Sequence, residues 1–98
     1  MAIDALIMSP EDNVATCVRD VKKGEAVVYR KGGELCQVEA KEDIPYCHKI
    51  ALEPMEKNAV VRKYGEMIGK TTMPIEKGCW VSHENIYSVP RDYDSEMI

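Results

Sequence analysis

The chain has two histidines, and each stands beside other groups able to handle a small polar molecule. His48 is followed by Lys49, and His83 lies two residues before Asn85. Histidine is the side chain that most readily exchanges a proton or binds a metal ion near neutral pH. A His–Lys pair suits proton transfer next to an anionic group, and a His–Asn pair suits hydrogen bonding to a carboxylate or hydroxyl. Each histidine could also supply one metal ligand. Two histidines without a close carboxylate fall short of the three protein ligands usual for catalytic zinc.

Each candidate also has a plainer reading. On a regular strand His48 and Lys49 point to opposite faces. They act on one ligand only if 47–49 forms a turn or bulge, which Pro45 permits. Otherwise they are a surface histidine and a solvated lysine at a strand start, the reading that the residues alone favour. On a strand His83 and Asn85 share a face with Val81, while Trp80, Ser82, Glu84 and Ile86 line the other. The plain reading there, again the favoured one, is a polar outer face on a strand whose Trp80 is in the core. Asp12-Asn13 reads as a turn with its side chains folded onto its own backbone, and Tyr64 as a packing residue at a hairpin tip. The chain contains no Ser-His-Asp arrangement, phosphate loop, dinucleotide fingerprint or acidic metal cluster.

The elements that must position these residues are legible as a weak internal repeat. Val21-Lys22-Lys23-Gly24, Met55-Glu56-Lys57-Asn58 and Ile75-Glu76-Lys77-Gly78 share an apolar residue, two charged residues and then Gly or Asn, each followed by a short apolar run. Gly and Asn best tolerate a left-handed backbone, so each copy predicts a tight turn launching a strand. Ile44-Pro45-Tyr46-Cys47 is a degenerate fourth copy with Cys47 where Gly is expected, a strained choice if that position needs a positive φ. Two hairpins follow, one reversing at Gly32-Gly33 and one at Tyr64-Gly65. Strands are expected near 3–8, 14–19, 25–30, 34–40, 48–53, 59–63, 66–70, 79–82 and 85–88. At most one or two helical turns are expected from Ser9, with Pro10 at the first position.

Many short strands with frequent turns predict a mostly β fold, a compact single domain with little helix. The domain is expected over 1–89, with 90–98 an acidic, mobile tail. The net charge is −4, with signs interleaved and no basic stripe with aromatics between, so nucleic acid is not expected as a partner. No apolar run approaches the roughly 20 residues of a membrane span, and the N-terminus lacks the basic region of a signal peptide. The four cysteines have wide, irregular spacing, which favours free thiols and a cytoplasmic location. Buried small hydrophobes are the default for all four; a reactive thiol is the alternative at Cys47 or Cys79, both in expected turns.

Taken in order, Asp12-Asn13-Val14-Ala15, Ile44-Pro45-x-x-His48-Lys49-Ile50-Ala51-Leu52, Lys63-Tyr64-Gly65-x-x-Ile68-Gly69 and Val81-x-His83-x-Asn85 resemble the N-terminal SAF domain of altronate and galactarate dehydratases. The resemblance covers about Ile7 to Asn85. It implies a SAF-type β-clip, a pseudo-symmetric unit of short strands, and a place in carbohydrate catabolism. The reaction class it implies is β-elimination of water from a sugar acid, a hydro-lyase activity. This chain is similar to a stand-alone small subunit, not active alone, that works with a large catalytic dehydratase subunit. Self-association stays open. The resemblance implies a divalent metal, iron(II) or similar, held mainly by the partner. It makes His48, His83 and Lys49 the catalytic candidates, with His48 and His83 also the candidate metal ligands. Asn13, Tyr64 and Asn85 are the candidate substrate-binding groups. The alternatives are the small subunit of sulfolactate sulfo-lyase, which eliminates sulfite, and a ligand-binding SAF module without catalysis.

Overall fold

The computed structural model describes residues 3–87, and one turn used four times organises it. In Val21–Gly24, Ile44–Cys47, Met55–Asn58 and Ile75–Gly78 the last residue has a positive φ: +90°, +70°, +68° and +91°. The next N–H donates back three residues: Glu25 to the Lys22 carbonyl (3.0 Å), His48 to Pro45 (3.1 Å), Ala59 to Glu56 (3.1 Å) and Cys79 to Glu76 (3.1 Å). A positive φ at the third position with this hydrogen bond is the signature of a type II turn. The apolar residue that opens each turn is buried and pairs with its counterpart, Val21 with Ile44 and Met55 with Ile75. The four copies therefore form two pairs.

Each pair brackets a hairpin. The first half carries β3 (Ala26–Lys31) and β4 (Glu34–Glu39); the second carries β6 (Val60–Lys63) and β7 (Glu66–Thr71). A four-stranded antiparallel sheet joins the halves in the order β1 (Ala5–Leu6), β2 (Val14–Cys17), β5 (Lys49–Ala51) and β8 (Trp80–Val81). The last strand, β9 (Ile86–Tyr87), pairs with β7.

The central sheet is buried on both faces. Ala15, Cys17 and Ile50 point into a first core with Val21, Val27, Val38 and Ile44. Val14, Ala51 and Val81 point into a second with Met55, Val61 and Ile75. This is why Val14-Ala15 and Ile50-Ala51-Leu52 are continuous apolar runs instead of alternating ones. The four turns, both hairpins and the nine strands among the described residues agree with the sequence expectation, and the domain is mostly β.

Two expectations change. The strand expected over 3–8 narrows to Ala5–Leu6, because the Met8 and Ser9 N–H groups turn away to the Asp12 carboxylate at 3.0 and 3.2 Å. That same carboxylate leaves Ser9–Asp12 a single turn, closed by Asp12 N–H to the Ser9 carbonyl at 3.0 Å. A side chain that captures nearby backbone donors competes with helix, and no helix occurs among the described residues. The tail expected over 90–98 lies outside the described residues.

Candidate functional site

His48 closes the Ile44–Cys47 turn. Its carbonyl accepts the Cys17 N–H at 2.8 Å, so its backbone is held by the central sheet, and its side chain is exposed. Cys47, at φ +70°, shows that this position needs the left-handed backbone, at a cost of roughly 1–2 kcal/mol for a residue with a Cβ. The His48 ring meets Trp80 edge to face, with centroids 4.9 Å apart and planes at 82°. Trp80 is opposite Ile50 across β5 and β8, so His48 rests on an aromatic platform at the end of that pair. The Trp80 backbone N–H donates to Glu42 Oε2 at 2.9 Å. Its indole Nε1 is buried without a hydrogen-bond partner, an uncommon condition for a buried donor. Glu42, Met73, Trp80, Ser82, Glu84 and Asn85 line a shallow depression of about 210 Å³ beside it.

His83 and Asn85 do not share a strand face as expected. Residues 83–85 form a turn between β8 and β9. Asn85 closes it: Oδ1 accepts the Ser82 N–H at 2.8 Å, and Nδ2 donates to the Trp80 carbonyl at 2.7 Å. The Asn85 side chain thus holds backbone in place, while His83 is exposed at the turn.

Asn13 is similarly engaged. Its Oδ1 accepts the Arg62 N–H and its Nδ2 donates to the Val60 carbonyl, both at 2.8 Å. It stitches β2 to β6. Next to it, buried Asp12 accepts the Tyr64 N–H at 2.9 Å and the Gly65 N–H at 2.7 Å, besides those of Met8 and Ser9. Burial by itself would raise the Asp12 pKa. The four N–H groups outweigh it and hold the carboxyl below its ordinary value. Asp12 therefore does more than fold onto its own turn: it fixes the second hairpin's tip, where Tyr64 has φ +55° and Gly65 +79°.

That tip reaches the face of the sheet opposite His48. Lys49 pairs with Thr16 on β2 and Val81 on β8, so it lies on the Val14–Ala51–Val81 face. The Tyr64 hydroxyl lies 3.4 Å from Thr16 Oγ1. Lys49 is half-buried; burial, and then the like charge of Lys63, lowers its pKa. The structure thus separates the adjacent His48 and Lys49 onto two faces, with Lys49 opposite Thr16, whose hydroxyl Tyr64 reaches.

Chemically, His48 is placed to exchange a proton with a molecule lying over Trp80, and Lys49 to pair with an anion on the other face. No group of three or more His, Cys, Asp or Glu that could hold a metal occurs among the described residues. The donors present therefore do not by themselves fit a divalent ion. Glu42, Trp80, Asp12 and Thr16 escaped the sequence reading as site residues. Only Asp12 carried a signal, as a turn acid; nothing local pointed to a partner 52 residues away.

With this geometry in place, comparison with known proteins identifies the fold family. Residues 3–89 match the family model described as altronate/galactarate dehydratase SAF domain. The chain belongs to this family. It is 38% identical over 68 residues to the altronate dehydratase of Bacillus subtilis (strain 168), a match covering 69% of this chain and 13% of that protein. It is 33% identical over 75 residues to the galactarate dehydratase (L-threo-forming) of Escherichia coli (strain K12), covering 76% and 13%. The SAF-domain chain thus spans a small fraction of these dehydratases, and the Pro45–Ala51 segment and both hairpin tips lie inside the matched family region.

Proposed function

We propose that this chain is the small, N-terminal-type subunit of a sugar-acid dehydratase such as altronate dehydratase. It would β-eliminate water from an aldonate or aldarate together with a separate large catalytic subunit. The observation that carries this reading is the SAF-domain match over 3–89 set against 13% coverage of two dehydratases. The open site supports it: His48 and His83 are exposed, and the depression beside Trp80 is too shallow to enclose a substrate.

Removing a proton next to a carboxylate develops enolate charge, so the reaction needs a base and a cationic partner for the carboxylate. His48 on its Trp80 platform is the proton carrier of this reading and His83 a second one at the same end of β8; Lys49 faces the other side of the sheet, so the cation for the same carboxylate comes from the large subunit. Tyr64, on the Lys49 face, takes no part in that proton transfer, while Asn13 and Asn85 act by holding the second hairpin and the 83–85 turn. A divalent ion such as iron(II), which would stabilise enolate charge, belongs mainly to the large subunit.

The test is co-expression with a large dehydratase subunit and assay of the purified complex on altronate. Turnover is expected only from the complex, and His48→Ala and His83→Ala should each lower it by about a hundredfold or more. Full turnover by the isolated chain would sink the shared-site reading. The non-catalytic ligand-binding module is the second reading, favoured by the backbone engagement of both asparagines; it gains if neither histidine variant loses more than a fewfold.

A further inference from the structure

The first hairpin has one edge that the fold leaves open. On β3, Val28 exchanges hydrogen bonds with Asp4: the Asp4 N–H donates to the Val28 carbonyl at 2.8 Å, and the Val28 N–H donates to Asp4 Oδ2 at 2.9 Å. The backbone groups of Val28 therefore point away from β4. Antiparallel strands alternate between bonded and non-bonded pairs. So Gln37, the cross-strand partner of Val28, and Leu35, opposite Arg30, point their own N–H and C=O groups away from β3. Those groups make no hydrogen bond among the described residues. β4 is the last strand of a two-stranded sheet, whereas in the second half β7 takes β9 along the corresponding edge. The far end of β4 is closed, because the Lys41 N–H donates to the Gly78 carbonyl at 2.9 Å. The open stretch is 34–38.

This edge is complementary to a second copy of itself. In an antiparallel register centred on Cys36, Leu35 of each copy lies opposite Gln37 of the other, and both pairs exchange their outward N–H and C=O groups. The acids of β4 do not collide in that register: Glu34 comes opposite Val38, and Glu39 opposite Gly33. Like charges directly opposite would resist pairing. Leu35 is 52% exposed and becomes the diagonal neighbour of its own counterpart, within reach of a long side chain. It lies on a shallow groove of about 230 Å³ lined also by Val28, Cys36 and Gln37. The Gly32-Gly33 tip has open space around it, so nothing there obstructs an added strand. Proteins that keep an edge unpaired commonly use a proline, a lysine or a bulge, and 34–38 has none of these.

We propose that two copies of this chain pair through the 34–38 edge of β4 as antiparallel strands, joining two hairpins into one four-stranded sheet. The contact is smaller than the roughly 1,200 Å² of a stable complex, so a dissociation constant on the order of 0.1–1 mM is expected. Each copy carries a net charge of −4, so added salt strengthens the pairing by screening the repulsion. The pairing uses none of the residues given a part in the proposed reaction.

The test is sedimentation velocity and amide hydrogen exchange on the 15N-labelled chain, under reductant, from about 10 μM to about 2 mM, a range that brackets the expected constant. The sedimentation coefficient should rise towards that of a dimer, and exchange at the Leu35 and Gln37 amides should slow in step. In a mixture of labelled and unlabelled chains, an isotope-filtered NOE between the two Cys36 Hα atoms should report the register. Gln37→Pro removes an outward N–H without touching the β3–β4 bonds and should weaken association about tenfold or more. Leu35→Glu, which sets acid diagonal to acid, should do the same. Met67→Gln, exposed on the other hairpin, should leave association unchanged. Amide spectra at low concentration establish that each variant is folded. A monomer throughout the series overturns the proposal, as does association that survives both edge variants, or a dimer whose Leu35 and Gln37 amides exchange as in the monomer. Slowed exchange there only on adding a large dehydratase subunit also overturns it, and gives the edge to a strand of that subunit. Because association is read on this chain by itself, the result is separate from whether the complex turns over altronate.

Discussion

The two hairpins are built on the same plan, yet they end differently. The first, β3–β4, turns at Gly32-Gly33, with φ of +58° and +86° and open space around both. The second, β6–β7, turns at Tyr64-Gly65 with nearly the same backbone, but Gly65 lies against Ser9 and Asp12 holds both N–H groups. One tip is a free reversal; the other is docked onto the sheet and carries the Tyr64 side chain to Thr16. The turns show the same division. Gly78 has no room for a side chain, since a Cβ there would lie 2.1 Å from the Glu39 carbonyl oxygen. Cys47, its counterpart, is exposed. A repeated fold thus fixes backbone conformation equally in both halves, and local surroundings decide where that backbone can carry chemistry.

The largest effect expected from breaking this comparison is at Gly78. Gly78→Ala meets backbone, which cannot move aside, and adds the strain of φ +91°. It should destabilise the domain by roughly 3 kcal/mol or more, read as a lower denaturation midpoint in urea. A midpoint within experimental error of the parent would show that the two turns are not so different.

Next is the docked tip. Asp12→Ala leaves four N–H groups without their acceptor and should cost about 2–3 kcal/mol. Gly33→Ala, at the free tip, meets no neighbour and should cost only its backbone strain, roughly 1–2 kcal/mol. Equal losses would erase the distinction between the hairpins.

The pH dependence follows from the same carboxylate. Asp12 is held below the ordinary value of 3.8 in the folded state. Asp4 shifts the same way: burial would raise it, but Arg19 and the Val28 N–H outweigh that. A depressed folded pKa contributes stability that is present above 3.8 and lost as pH falls from there through the folded values. The denaturation midpoint should therefore fall below about pH 4, and the Asp12→Ala variant should show a shallower decline.

The smallest effects concern Cys47. Cys47→Gly relieves the cost of φ +70° but adds chain entropy, so a net gain of up to about 1 kcal/mol is expected. A thiol reagent at neutral pH should label exposed Cys47 first and buried Cys17 last, since burial raises the Cys17 pKa to about 11. Mass-spectrometric mapping of the labelled peptides reads the order.

Much of the fold was legible because it depends on short-range steric rules. Val21–Gly24, Met55–Asn58 and Ile75–Gly78 announce themselves by Gly or Asn at one offset, and Gly32-Gly33 by the pair itself. The site was less legible. His48 and Lys49 were visible as residue types, but not that His48 would meet Trp80 across the sheet while Lys49 stood on the other face opposite Thr16. His83 and Asn85 looked like strand neighbours, because alternation cannot reveal that Asn85 folds back to close a turn.

The sequence by itself determined where the chain reverses, which residues open each turn and that a mostly β domain results, because φ preferences and apolar spacing are local properties. Only the tertiary structure decided that Asp12 clamps a tip 52 residues away, that Asn13 stitches β2 to β6, and that Tyr64 reaches Thr16 on the central sheet. Those contacts rest on which sheet face meets which hairpin. That is set by packing two cores against one shared sheet, and no stretch of neighbouring residues encodes it.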